Sequence, residues 1–168
     1  MRMFTIACMC ILAMGTCIAA TVPTSRSAGY SVTINSKVPT TVQVIATSNY
    51  VVSLEGGSPS CALTVRHFYS NLVAHLFWSA NYYVGSLVGA TQCTLTLTKT
   101  GDLQLFALFM GTNTMVWHSN TAGKGITHMA LEDVFDSGDL QLLTAANKIV
   151  WDTFGVPEFA ILPTQKFT

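Results

Sequence analysis

Every tryptophan in this chain closes the same short phrase. Leu76-Phe77-Trp78-Ser79, Met115-Val116-Trp117-His118 and Ile149-Val150-Trp151-Asp152 each place a bulky apolar pair before the tryptophan and a small or polar residue after it. The tryptophans stand 39 and 34 residues apart. A second echo keeps the period: Gly101-Asp102-Leu103-Gln104-Leu105 returns unchanged as Gly138-Asp139-Leu140-Gln141-Leu142, 37 residues later. Self-similarity at a period of about 20 to 50 residues marks a repeated supersecondary unit. The chain is therefore expected to stack like units about one core.

Those units read as β-structure. Strand-like runs occur at Tyr30–Ile34, Thr41–Ala46, Tyr50–Leu54, Ala62–Val65, Ala74–Trp78 and Thr94–Thr98, and continue at Asp102–Leu108, Thr114–Trp117, His128–Leu131, Asp139–Leu143 and Lys148–Trp151. Most are short, rich in Val, Thr, Leu and aromatics, and alternate in polarity. Turn signals such as Gly56-Gly57-Ser58-Pro59, Gly111-Thr112-Asn113 and Ala122-Gly123-Lys124-Gly125 separate them. Short strands at this spacing indicate an all-β sandwich, barrel or prism. The repeat favours the prism: alternation turns Leu103 and Leu105 to one face, with Asp102 and Gln104 on the other. Three such sheets close a triangular core of leucine and tryptophan.

Arg2, the uncharged apolar stretch Phe4 to Ile18 and the small residues Ala19-Ala20 read as a signal peptide over residues 1–20. The apolar run is shorter than the roughly 20 residues needed to span a bilayer. The mature chain is thus expected to be secreted, to the extracellular space or cell wall. Removing Arg2 leaves seven basic against eight acidic residues, a net charge of −1, with no basic patch. That balance argues against nucleic acid, whose binding draws on neutralised phosphates. Cys61 and Cys93 are the two cysteines beyond the signal segment, and in an oxidising compartment they are expected to form a disulfide.

Other chemistries find no support in spacing. His67, His75, His118 and His128 lack metal-ligand spacing and read as surface or cleft histidines. The acidic run Glu132 to Asp139 lacks the alternation and closing Glu of a calcium loop, and reads instead as a hairpin between two strands. No nucleophile–base arrangement or phosphate loop stands out, so no enzyme, metal or cofactor is expected.

Several phrases in fixed order carry a resemblance. Leu95 to Leu105, ending Gly-Asp-Leu-Gln-Leu, then Val116-Trp117-His118-Ser119-Asn120-Thr121, resemble the "D-G-N-L-V-L" and "V-V-W-x-S-N-T" strands of the bulb-type (monocot mannose-binding) lectin domain. Phe77-Trp78-Ser79-Ala80-Asn81 and the stretch Val150-Trp151-Asp152-Thr153-Phe154 through Leu162-Pro163-Thr164-Gln165-Lys166 are similar to phrases of plant S-locus glycoproteins and their receptor kinases. The resemblance implies a β-prism of three four-stranded antiparallel sheets with pseudo-threefold symmetry. It covers residues 40–168 as a lectin-like domain and leaves 21–39 as an N-terminal segment.

It also implies sugar sites. Mannose-binding members read Q-x-D-x-N-x-V-x-Y along one strand, so that alternate side chains meet one sugar. Thr98, Thr100, Asp102, Gln104 and Phe106 hold those positions in the second repeat, and Phe135, Ser137, Asp139, Gln141 and Leu143 in the third. Only Asp102 and Asp139 keep a group comparable to the family's Asn, and Phe106 keeps a ring without its hydroxyl. Losing three of five contacts, each about 0.5–1.5 kcal/mol, leaves the sites degenerate. Asp102 and Asp139 then read as solvated carboxylates beside turns. The resemblance thus implies either binding of mannose-type glycans or a protein-interaction module that has lost sugar binding. In the latter, exposed strands are expected to pair with another protomer as a homodimer, as relatives do through C-terminal strand exchange. The apolar tail Phe159-Ala160-Ile161-Leu162-Pro163 needs covering by its own core or by a partner. The chain reads as a stand-alone product rather than a fragment of a receptor ectodomain.

Overall fold

The computed structural model describes residues 21–57, 60–68, 74–80, 89–134 and 137–155. The expected signal peptide, Phe135 and the apolar tail lie outside the described residues. The chain opens with β1 (Ser25–Ser27) and β2 (Ser31–Asn35). It then runs through β3 (Thr40–Ala46), β4 (Tyr50–Gly57), β5 (Ser60–Phe68) and β6 (Ala74–Ala80). Next come β7 (Gln92–Leu97), β8 (Leu103–Phe109) and β9 (Thr112–His118). β10 (Ile126–Val134), β11 (Ser137–Thr144) and β12 (Ile149–Asp152) follow.

These strands form three four-stranded antiparallel sheets, in the orders β3-β4-β5-β6, β2-β7-β8-β9 and β1-β10-β11-β12. The all-β prism is the observed fold. Its assembly has a simple logic: β4, β7 and β10 each open a three-stranded unit, and the N-terminal strands supply the fourth in reverse order. β3 completes the first sheet, β2 the second and β1 the third. The three-residue β1 has no signature of its own in Ser-Arg-Ser; it forms because the β10 edge offers an unpaired ladder. The acidic run does form a hairpin, with Glu132 opposite Asp139 and Val134 opposite Ser137.

The tryptophans meet at the centre. Trp78, Trp117 and Trp151 stand mutually edge-to-face, with ring centroids 5.7, 5.8 and 5.8 Å apart. Such geometry brings the positive edge of one ring to the negative face of the next, adding about 0.5–1.5 kcal/mol per pair beyond area burial. A register shift recurs beside each tryptophan. Val65 faces Trp78, Leu105 faces Trp117 and Leu142 faces Trp151; in each sheet the next pair skips one residue, passing over Phe77, Val116 or Val150. All three skipped residues pack against the core. A bulge of this kind lets two successive side chains serve one face, which explains why every phrase breaks alternation just before its tryptophan.

Aligning the units on these pairs superposes Cys61, Gly101 and Gly138. In the first unit that position forms the Cys61–Cys93 disulfide, tying β5 of one sheet to β7 of the next. In the others it must be glycine for local reasons. Gly101 holds φ +87°, and a Cβ there would stand 2.8 Å from the Ile126 Cβ. A Cβ on Gly138 would meet the Tyr50 ring at 2.5 Å.

Candidate functional site

Asp102 enters just before β8 on the same side as Gln104, with Leu103 and Leu105 turned into the core. It is only 4% exposed. Its Oδ1 accepts the Thr121 N–H at 2.9 Å and the Ser119 hydroxyl at 3.1 Å. Its Oδ2 accepts the Gln104 amide at 2.9 Å and lies 3.3 Å from His118 Nδ1. Ser119 also receives the Leu103 N–H, and Thr121 gives its hydroxyl to the Gly101 carbonyl. One carboxylate thus fixes the start of β8 to the turn leaving β9. Burial works against its charge, but the bonds from Thr121, Gln104, Ser119 and His118 outweigh it and hold its pKa below the ordinary carboxylate value.

Asp139 repeats the motif with a different balance. Its Oδ1 accepts the Thr153 N–H at 3.2 Å and hydroxyl at 2.8 Å, and its Oδ2 accepts the Gln141 amide at 2.9 Å. Here burial prevails over the bonds from Gln141 and Thr153, helped by the like charge of Asp152, and the pKa is raised. Burial is the leading influence on both carboxyls, and one slot adds to the difference. His118 faces Gln104 where Asp152 faces Gln141, so a group able to donate in one repeat is an acid in the next. In the first unit Ala62 and Ala80 stand where Asp102 and Ser119 stand in the second, and both halves of the pin are gone together.

Neither aspartate is therefore the solvated, turn-adjacent carboxylate that the sequence suggests; both are buried and act as pins. Of the remaining second-repeat positions, Thr98 and Gln104 bond to Asp102. Thr98 Oγ1 accepts the Asp102 N–H and lies 3.0 Å from the Thr100 hydroxyl. Gln104 and Phe106 lie half-buried on the outer face of β8. In the third repeat Gln141 and Leu143 are buried, and Phe135 and the side chain of Ser137 lie outside the described residues.

The three sheets differ in what they present outward. On the outer face of the first sheet Val51, Ser53, Ala62, Thr64 and Ser79 are at most 5% exposed, beside a half-buried Glu55–Arg66 ion pair and an exposed Gln43. The outer face of the second is open and carries three rows across its four strands. Ser31, Thr96, Gln104 and His118 form one row; Thr33, Thr94, Phe106 and Met115 form the next; Asn35, Gln92, Leu108 and Asn113 form the third. Hydroxyl pairs link Ser31 to Thr96 and Thr33 to Thr94, each at 2.8 Å. No Asp, Glu, Lys or Arg occurs in the four strands.

Over 83 residues, 49% of its length, the chain is 36% identical to the G-type lectin S-receptor-like serine/threonine-protein kinase SD3-1 of Arabidopsis thaliana. The match spans 10% of that receptor. That similarity supports a lectin-like fold. No protein-family model matches it, and no solved structure does. The similarity and the three-sheet prism together support a domain of the S-locus, bulb-lectin kind. Among the described residues no helix is long and apolar enough to cross a membrane, and no group of three or more His, Cys, Asp or Glu gathers as a metal site.

Of the residues on the open face, only Gln104 and Phe106 belong to the site positions implied by the resemblance. Ser31, Thr33, Thr94, Thr96, Met115 and His118 were not among them. The alternation Thr94-Leu95-Thr96-Leu97-Thr98 was a visible signal for a hydroxyl-bearing face, but the strands beside it depend on long-range pairing.

Proposed function

We propose that this protein is a secreted, lectin-like recognition protein that binds uncharged carbohydrate on the outer face of its second sheet. The carrying observation is the chemistry of that face: a partly exposed array of hydroxyls and amides, without Asp, Glu, Lys or Arg in its strands, with Phe106, Leu108 and Met115 among them. A sugar ring offers hydroxyls at its rim and C–H groups on its faces. A flat aromatic ring flanked by hydroxyl and amide groups matches both. Gln104 gives one amide hydrogen to Asp102, and its carbonyl and second amide hydrogen remain to serve a ligand. Asp102 is a positioning residue in this reading: both its oxygens are taken, and it orients Gln104 and His118. The leader-like residues 1–20, the disulfide and the similarity to part of a receptor-like kinase all support an extracellular location.

A second reading, a protein-interaction or dimerisation module on a lectin fold, is favoured by the saturated Asp102 and Asp139 carboxylates, which leave the mannose-type strand sites without their central acceptor.

A glycan array probed with wild type, Phe106→Ala and Asp102→Ala proteins separates the readings. Binding to uncharged glycans that Phe106→Ala abolishes supports the first. A blank array with folded protein refutes it in favour of the second.

A further inference from the structure

We infer that the ligand is an extended, uncharged glycan chain lying across the strands of the second sheet, rather than a single terminal sugar held along one strand. The inference rests on the carbohydrate reading above and adds direction and length to it. Three features of the face carry it.

The first is the order within the rows. Strands lie about 4.8 Å apart, so a row of four residues spans roughly 14 Å. That exceeds one sugar ring. The middle row runs Thr33, Thr94, Phe106, Met115, its apolar half on β8 and β9 and its hydroxyl half on β2 and β7. One bordering row, Ser31, Thr96, Gln104 and His118, is wholly polar; the other, Asn35, Gln92, Leu108 and Asn113, is polar except for Leu108 on β8. A sugar ribbon laid on the middle row would rest its C–H faces on Phe106 and Met115 and turn the hydroxyls of its two rims to the flanking rows.

The second is that the groups are already arranged. The Ser31–Thr96 and Thr33–Thr94 pairs fix one hydroxyl against another, and each hydroxyl still has lone pairs for a ligand. Asp102 accepts from Gln104 and faces His118 Nδ1; when that nitrogen carries the ring hydrogen, Nε2 is left as an acceptor. Side chains fixed before binding lose less freedom on binding.

The third is charge. Twenty-five residues of sheet without Asp, Glu, Lys or Arg favour an uncharged chain over an acidic one.

Titration of the full-length secreted protein with uncharged β-1,4-linked gluco- and manno-oligosaccharides of one to six units tests the inference. Affinity should climb with length, by about tenfold or more between one unit and six, equivalent to about 1.4 kcal/mol. Thr33→Val, two strands from Phe106, should weaken binding of the six-unit chain severalfold and leave the two-unit chain unchanged. If one unit binds as tightly as six, the extended mode is wrong while carbohydrate recognition stands. Equal effects of Thr33→Val on both lengths would overturn the crossing direction. No binding at any length would remove the carbohydrate reading itself.

Discussion

The Asp102 carboxylate accepts the backbone N–H of Thr121 at 2.9 Å, closing the turn that follows Trp117. In the next repeat Asp139 takes the Thr153 N–H, after Trp151, at 3.2 Å. The two bonds join the Gly-Asp-Leu-Gln-Leu phrase to the tryptophan phrase. They explain why both echo together along the chain.

The two pins should respond differently to loss of charge. Asp102 has its charge stabilised on balance and Asp139 does not. At neutral pH, Asp102→Asn should therefore cost more stability than Asp139→Asn, by about 1–3 kcal/mol, the range for an impaired buried hydrogen bond. Urea unfolding of the two variants beside wild type measures this.

Acid should narrow one difference and widen the other in sign-specific fashion. The lowered pKa of Asp102 gives stability that is present above its unfolded value and lost as pH falls through the folded one. The raised pKa of Asp139 makes its charge a burden that sets in as pH rises from the unfolded value through the folded one. Between pH 7 and pH 3, the deficit of Asp102→Asn should shrink, while Asp139→Asn should become less favourable relative to wild type. Stability curves for the three proteins across that interval are the check.

The β8–β9 hairpin turns on Met110 and Gly111, both at positive φ (48° and 78°). That geometry suits Asn-Gly, and a methionine at the first position is strained. Met110 is also 86% exposed, so it contributes little packing. Met110→Asn should stabilise the protein by about 0.5–1 kcal/mol, read as a higher midpoint in thermal unfolding.

Reduction should be costly. The Cys61–Cys93 bridge closes a sequence separation of 32 residues, worth roughly 3–4 kcal/mol in the chain-entropy model. Urea unfolding with and without reductant should differ by that amount, and Cys61→Ala/Cys93→Ala should match the reduced protein.

Much of the architecture was legible because the repeat is carried by residues that cannot be exchanged freely. Trp78, Trp117 and Trp151 meet at one point, so each phrase must recur. β1 was not legible: Ser25–Ser27 owes its strand form to β10, a hundred residues away. The solvated reading of Asp102 failed for a similar reason, since its donors Ser119 and Thr121 arrive from the far end of β9. The open face has no local signature, because its rows join residues of β2 and β9 that are far apart in the chain.

The most direct test is a single charge placed in the middle of the open face. Thr94 lies centrally on β7, between Thr33 and Phe106. Wild type should bind immobilised uncharged polysaccharide, and Thr94→Glu should lose that binding while keeping its fold by circular dichroism. Undiminished binding by a folded Thr94→Glu protein would contradict the assignment of this face.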